Sequence, residues 1–249
     1  MLALTEEILA NQRVRDAAGN ELPLHSHTEA SQVAWMQDLV RTLDPKTCIE
    51  IGLAYGISAL AVCEVLAEKE GARFIAIDPY QDFWREVGLL NLERAGFRRF
   101  VEFHREFTPA VLPKLLASGL SIDFAYVDAS KVFDRVLHDV GYLTEMLRVG
   151  GLLAVDDCGF LGVRAVVRYL ARWPHLRVHS THGRWPAATW KVRLASKIDR
   201  GIDPWLPPQH RLFRPNVFLL DEELGVHANC VVFEKLGPDQ REWDWHAEF

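Results

Sequence analysis

The chain has 249 residues, of which 49% are hydrophobic and 25% are charged, a balance typical of a single globular domain. The net charge of −6 argues against binding to nucleic acid or to a membrane surface, and no apolar run is long enough to span a bilayer. The four cysteines are scattered, and the N-terminus lacks a signal-peptide pattern, so we expect free thiols and a cytoplasmic protein.

Residues 1–28 are predicted to form an N-terminal arm or cap, because they carry only a weak helical pattern. His25 and His27 form a His-x-His pair that could bind a metal, but two loop histidines before a helix are the favoured interpretation. Ser26 or Thr28 is expected to cap that helix.

Residues 47–58 predict an apolar strand, a tight turn at Gly52 and Gly56, and the N-terminus of a helix. Glycines at such a turn let main-chain N–H groups approach a ligand closely. Glu50 ends an otherwise apolar strand, where a carboxylate is costly unless it meets a donor. A strand–helix turn without a ligand is the alternative.

The next strand, at residues 74–78, ends in Asp78. In a doubly wound sheet this carboxylate would lie beside the glycine turn, within reach of a ribose diol. The two strands together predict a nucleoside pocket at their carboxyl ends.

Strands and helices alternate through residue 180, which predicts a doubly wound α/β fold with a mostly parallel, seven-stranded sheet. We expect one domain, with a core at 29–180, an insertion at 181–229, and a final strand and tail at 230–249. The further predicted strands are 99–103, 122–128, 152–157, 176–180 and 230–235, and the last is expected to run antiparallel.

The 181–229 insertion is rich in tryptophan and proline, and lysine and arginine outnumber aspartate within it. A long loop in a compact domain is usually functional. We interpret it as a lid or an oligomer contact whose basic excess could favour an anionic substrate. A solvated face with a few aromatic anchors is the alternative.

Three carboxylates, Asp128, Asp156 and Asp157, end two strands that are expected to be neighbours. Acids that converge at one rim repel each other unless a cation intervenes, and oxygen ligands suit Mg²⁺. Alternatively, one acid binds a ligand and the others cap helices.

The pattern Glu50-x-Gly52-x-x-x-Gly56 resembles motif I of class I S-adenosylmethionine methyltransferases. Together with Asp128, Lys131 and the Asp156-Asp157 pair, it resembles the metal-dependent O-methyltransferases of the catechol and caffeoyl-CoA type and the bacterial macrocin type. The resemblance extends from about Glu29 to Ser180.

This resemblance implies S-adenosyl-L-methionine and Mg²⁺ as cofactors. The residues expected to bind S-adenosylmethionine are Thr28, Glu50, Gly52, Gly56, Ser58, Asp78, Pro79, Phe107, Thr108 and Asp128. The implied metal ligands are Asp128, Asp156 and Asp157, and Lys131 is the implied general base beside Asp128. Pairing of Lys131 with the surrounding aspartates is the alternative role.

The sequence therefore predicts a Mg²⁺-dependent O-methyltransferase that acts on a small-molecule hydroxyl of a natural product, a sugar or a catechol-like compound. A homodimer is expected because the arm and the insertion offer apolar surface. A differently reacting member of the same fold, resembling cephalosporin hydroxylase components, is one alternative. An NAD(P)-dependent oxidoreductase is another, but it predicts a G-x-G-x-x-G turn and a Tyr-x-x-x-Lys motif, and neither is found.

Overall fold

A computed structural model describes residues 1–185, 189–191, 193–194, 197 and 219–247. Most of the predicted lid or oligomer contact therefore lies outside the described residues. The predicted division into arm, core, insertion and tail stays a prediction.

The described helices are α1 (Ala3–Asn11), α2 (Ala30–Leu43), α3 (Ile57–Leu66), α4 (Val87–Arg94), α5 (Thr108–Ala117), α6 (Phe133–Met146), α7 (Leu161–Leu170) and the short α8 (Asp221–Leu224). The described strands are β1 (Arg13–Arg15), β2 (Glu21–Pro23), β3 (Thr47–Ile51), β4 (Arg73–Ile77), β5 (Val101–His104), β6 (Ile122–Val127), β7 (Leu147–Val155), β8 (Leu176–His182) and β9 (Cys230–Lys235). No helix in the described part of the chain has the length and apolar character needed to cross a bilayer.

The main sheet has seven strands in the order β5-β4-β3-β6-β7-β9-β8. Strands β5, β4, β3, β6 and β7 pair in parallel, whereas β9 pairs antiparallel with both β7 and β8. The predicted doubly wound fold and its antiparallel final strand are thus confirmed.

Both faces of the sheet are buried, which explains why its central strands are almost continuously apolar. Alternate residues of β3 enter different layers: Cys48 packs in the cluster that contains α2 and α3, and Ile49 packs in the cluster that contains α5, α6 and α7. The sheet is therefore held between two helical layers, and only the strand ends are free to form a site.

The N-terminal arm differs from its prediction, because a two-stranded antiparallel ribbon, β1 with β2, follows the first helix. Its turn is organised by Asp16, whose carboxylate accepts hydrogen bonds from the main-chain N–H groups of Ala18 (3.0 Å) and Asn20 (2.9 Å). Two strands of three residues each give little hydrophobic periodicity, so the sequence pattern shows only the helix.

Two element boundaries also differ from the prediction. Helix α2 begins after Glu29 without a side-chain cap, so neither Ser26 nor Thr28 has that role. Strand β7 begins at Leu147, five residues before the predicted start at Leu152, because the Gly150-Gly151 pair lies within extended chain and does not close a helix.

The carboxyl ends of the five parallel strands, β5, β4, β3, β6 and β7, form one continuous rim. The residue that follows β3, β4, β6 or β7 donates its N–H to the end of a neighbouring strand: Gly52 to Ile77 (2.9 Å), Asp78 to His104 (3.0 Å), Asp128 to Ile51 (3.0 Å) and Asp156 to Val127 (3.0 Å). The rim thus brings together the glycine turn and the strand-terminal acids, as the sequence predicts.

Candidate functional site

The turn between β3 and α3 is possible only because Gly52 lacks a side chain. Gly52 has φ +91°, and a Cβ atom there would lie 2.1 Å from the main-chain oxygen of Asp128. Gly56 has φ +76° and precedes the first turn of α3. The main chain therefore bends sharply at the rim and presents the start of a helix to the space above it.

Glu50 lies behind this turn and is buried. The Ser58 hydroxyl donates a hydrogen bond to Oε1 of Glu50, whereas Oε2 of Glu50 has no hydrogen-bond partner. Burial raises the pKa of Glu50 well above its usual value, and the Ser58 bond offsets this only in part. Glu50 therefore contacts and orients a residue of the turn.

Asp78 holds the turn from the neighbouring strand. Its Oδ2 accepts the main-chain N–H groups of Leu53 (3.1 Å) and Ala54 (2.9 Å) and the side-chain amide of Gln81 (2.8 Å). Its Oδ1 accepts the N–H of Tyr80 (2.8 Å). An acceptor position remains at Oδ1, since a carboxylate offers about four lone-pair sites.

A cavity of about 690 Å³ opens above the rim. This volume suits a small organic ligand, for which pockets of roughly 300–1,000 Å³ are typical. The predicted site residues that line it are Thr28, Gly52, Gly56, Ser58, Asp78, Pro79, Phe107, Thr108, Asp128, Lys131 and Asp157, whereas Glu50 and Asp156 do not. Tyr80 and Phe107 meet edge to face at 5.7 Å and form an aromatic wall at one side.

The first turns of α6 add polar residues to the cavity wall that the sequence analysis did not identify: Asp134, Arg135, His138 and Asp139. Asp139 is buried and hydrogen-bonded to Thr108 and His138, and burial raises its pKa. The i, i+4 spacing of Asp134 and His138 places them on one helix face, and that signal could have been read from the sequence.

Lys131 lies between two of the predicted metal ligands. Its Nζ is 2.7 Å from Oδ1 of Asp128 and 2.6 Å from Oδ2 of Asp157. Burial lowers the pKa of Lys131, but the charges and hydrogen bonds of the two aspartates outweigh burial and raise it. This arrangement favours the pairing role of Lys131 over the predicted role as a general base.

Asp156, the third predicted metal ligand, turns away from the cavity into a buried network. Its Oδ2 accepts hydrogen bonds from the Tyr126 hydroxyl and from the Gln32 amide (2.5 Å). Its Oδ1 accepts the N–H of Asp157 (2.8 Å) and the Asn229 amide (3.1 Å). Burial, followed by the charge of Asp128, raises the pKa of Asp156 to about 6.

The three predicted metal ligands therefore do not converge on one point. Throughout the part of the chain that the structure describes, no three histidine, cysteine, aspartate or glutamate side chains are arranged to hold a metal ion. The donors around Asp156 and the ammonium group between Asp128 and Asp157 explain this. His27 lines the cavity, but it likewise belongs to no such group within the described residues.

Comparison with known proteins gives a consistent result. Residues 49–158 match a family model described as a methyltransferase domain. Caffeoyl-CoA O-methyltransferase 2 of Petunia hybrida is 30% identical over 133 residues, which are 52% of this chain and 53% of that protein. The chain thus spans about half the length of the curated relatives it matches.

Two solved structures show the same fold. The O-methyltransferase TomG from Streptomyces achromogenes, in complex with SAM, aligns with a TM-score of 0.60 at 18% identity, covering 85% of this chain and 82% of that one. An O-methyltransferase from Bacillus cereus, in complex with SAH, aligns with a TM-score of 0.60 at 21% identity, covering 72% of this chain and 83% of that one. Together with the family model, these matches confirm the resemblance to class I S-adenosylmethionine methyltransferases and the Rossmann-like methyltransferase fold.

Proposed function

We propose that this protein is an S-adenosylmethionine-dependent O-methyltransferase that acts on a hydroxyl group of a small molecule. The observation that carries the proposal is the single cavity wall on which the Gly52 turn, the Asp78 carboxylate and the Asp128–Lys131–Asp157 cluster meet. A cofactor held at the first two features would face an acceptor held at the third.

The residues present fit S-adenosylmethionine. The N-terminus of α3 suits the methionine carboxylate, since helix N-termini attract anions. The remaining acceptor position on Oδ1 of Asp78 suits a ribose hydroxyl, and the wall made by Tyr80 and Phe107 suits adenine. When bound, this cofactor supplies a methyl group activated by its sulfonium, so the chain mainly has to position the acceptor.

The cluster around Lys131 suits an acceptor hydroxyl. Asp128 and Asp157 can accept a proton or a hydrogen bond, and the Lys131 ammonium can donate one. The relative from Petunia hybrida is a caffeoyl-CoA O-methyltransferase, and this supports an oxygen nucleophile here. Natural-product, sugar and catechol-like acceptors are all compatible with the cluster.

Three finer parts of the sequence prediction remain predictions: Mg²⁺ dependence, a homodimer and a cytoplasmic location. The described acids do not fit a three-ligand Mg²⁺ site, so no part of the proposed chemistry is assigned to a metal.

Calorimetric titration with S-adenosylhomocysteine tests the cofactor site. Wild type should bind, and Asp78→Asn should weaken binding at least tenfold, because in either orientation the amide NH₂ group faces a main-chain N–H, that of Tyr80 or those of Leu53 and Ala54. The matched control is Asp82→Asn, a mostly exposed acid four residues away that does not line the cavity. The proposal fails if wild type does not bind, or if both variants bind as wild type does.

Transfer itself can be measured by mass spectrometry with methyl-labelled S-adenosylmethionine and a panel of catechols, sugars and polyketide hydroxyls. The proposal expects label on an acceptor oxygen. Hydride transfer from NAD(P)H, or cofactor binding with no methylation of any acceptor class, would instead favour the alternative activities weighed from the sequence.

A further inference from the structure

The cavity floor contains one lysine ammonium group at the place where the sequence led us to expect a divalent ion. Asp128 and Asp157 both line the cavity, and both bind Lys131 Nζ, at 2.7 Å and 2.6 Å. A cation is thus already present between the two acids, and it is part of the chain.

Asp156 is not available to complete a metal shell. A carboxylate has about four lone-pair sites, and four donors already occupy those of Asp156. Three of these donors are the side chains of Tyr126, Gln32 and Asn229, which come from β6, α2 and the residue before β9. A metal bond to Asp156 would displace one of these donors, and displacement of the buried Tyr126 hydroxyl from its acceptor is costly.

The position of Lys131 is fixed by its main chain as well as by its ion pairs. A Cβ atom at Gly162 would lie 2.4 Å from the main-chain oxygen of Lys131, so α7 packs directly against this loop. The contact with α7 therefore holds the main chain of Lys131 in place, and the side chain extends from this fixed position to the two aspartates.

We infer that Lys131 takes the place of a divalent metal in this protein, so that the methyl transfer proposed above proceeds without one. In that reaction the acceptor oxygen forms a bond to the methyl carbon, and the carbon–sulfur bond breaks with its electron pair left on sulfur. The hydroxyl proton passes to an oxygen of Asp128 or Asp157 that Lys131 does not bind. The Lys131 ammonium donates a hydrogen bond to the acceptor oxygen and stabilises the negative charge that develops on it.

The inference rests on the proposed function, but its main test does not need the acceptor. EDTA-dialysed wild-type protein, with and without S-adenosylhomocysteine, is titrated with MnCl₂ alone, and free Mn²⁺ is followed by electron paramagnetic resonance. The expected result is no stoichiometric binding and an S-adenosylhomocysteine affinity that MgCl₂ does not change. Stoichiometric Mn²⁺ binding that competes with Mg²⁺ would overturn the inference while leaving the proposed function intact.

A second measurement tests Lys131 directly. Lys131→Met should lower the midpoint of thermal unfolding, because it leaves Asp128 and Asp157 facing each other without a cation, and adding Asp157→Asn should recover part of the loss. Lys114→Met, at a mostly exposed ion pair, is the control and should have almost no effect. If Lys131→Met is as neutral as the control, the inference is wrong. Failure of wild type to bind S-adenosylhomocysteine would instead contradict the proposed function.

Discussion

A comparison of alanine substitutions at Gly52 and Gly19 separates the cost of a steric clash from the cost of backbone strain. Gly52 has φ +91°, and its added Cβ would lie 2.1 Å from the main-chain oxygen of Asp128. Gly19 has a similar φ of +83°, but no atom lies within 4 Å of a Cβ built there. Gly19→Ala is therefore a matched control that carries the strain without the clash.

The expected magnitudes follow from these distances. A non-glycine residue in the left-handed region costs about 1–2 kcal/mol, and both variants carry this cost. Overpacking adds about 1–3 kcal/mol, and here the clash is with main chain, which cannot rotate away. Gly52→Ala should therefore lose about 2–3 kcal/mol more than Gly19→Ala, or about 4–12 °C in unfolding midpoint for a chain of this length.

Thermal unfolding followed by circular dichroism measures this difference, and calorimetry with S-adenosylhomocysteine measures its effect on the site. Gly52→Ala should also weaken cofactor binding, because β3 and β6 must separate at the cavity floor, whereas Gly19→Ala should not. Equal unfolding midpoints for the two variants would show that the main chains of Gly52 and Asp128 are not in close contact, which would refute the close packing of β3 and β6 at the rim.

Two further substitutions test buried acids. Glu50 has a raised pKa when folded, so its contribution to stability is complete below its ordinary pKa of 4.5 and is lost as the pH rises toward the folded value. Glu50→Gln keeps an acceptor for Ser58 and cannot ionise. In cofactor-free protein its stability relative to wild type should increase as the pH rises above the ordinary pKa of a glutamate, as measured by urea unfolding. Asp221→Ala should cost about 3 kcal/mol, because the buried Asp221 carboxylate pairs with two arginines, Arg164 at 2.5 Å and Arg168 at 2.6 Å, and both pairs are lost. Differential scanning calorimetry should show a midpoint about 6–12 °C lower.

Each of these substitutions has a clear contrary result. A stability difference between Glu50→Gln and wild type that stays constant with pH would mean that Glu50 ionises equally in the folded and unfolded chain. For Asp221, the reference is Asp82→Ala, whose mostly exposed ion pair should contribute no more than about 1 kcal/mol. Comparable losses from the two would show that burial of Asp221 does not decide its contribution.

The sheet could be predicted from sequence because each strand is recognisable from its own residues, without knowledge of its partners. Each central strand is an apolar run that stops at a glycine or an acid, such as Gly52, Asp78 or Asp128, and parallel strands bring those stops to one rim. The β1–β2 ribbon was missed because each of its strands has only three residues, too few for a periodic pattern to stand out.

The metal site illustrates what a sequence motif omits. Adjacent acids at Asp156 and Asp157 predict a shared cation, but the position of the Asp156 carboxylate depends on its hydrogen-bond donors. These donors lie 124 residues away at Gln32, 30 at Tyr126 and 73 at Asn229. Only the packed fold shows that they surround one side chain, so the spacing of the acids could not reveal it.

The antiparallel course of β9 has a consequence for the segment that precedes it. Gly183 follows β8 and Asn229 precedes β9, and the N–H of Asn229 donates to the oxygen of Gly183 at 2.9 Å. The two ends of the intervening chain thus leave the sheet side by side, joined by this hydrogen bond, and the Asn229 side chain also binds Asp156. A replacement of the chain between them would therefore keep the β8–β9 pairing only if it retained the buried Asp221, Val226 and Ala228 near its end.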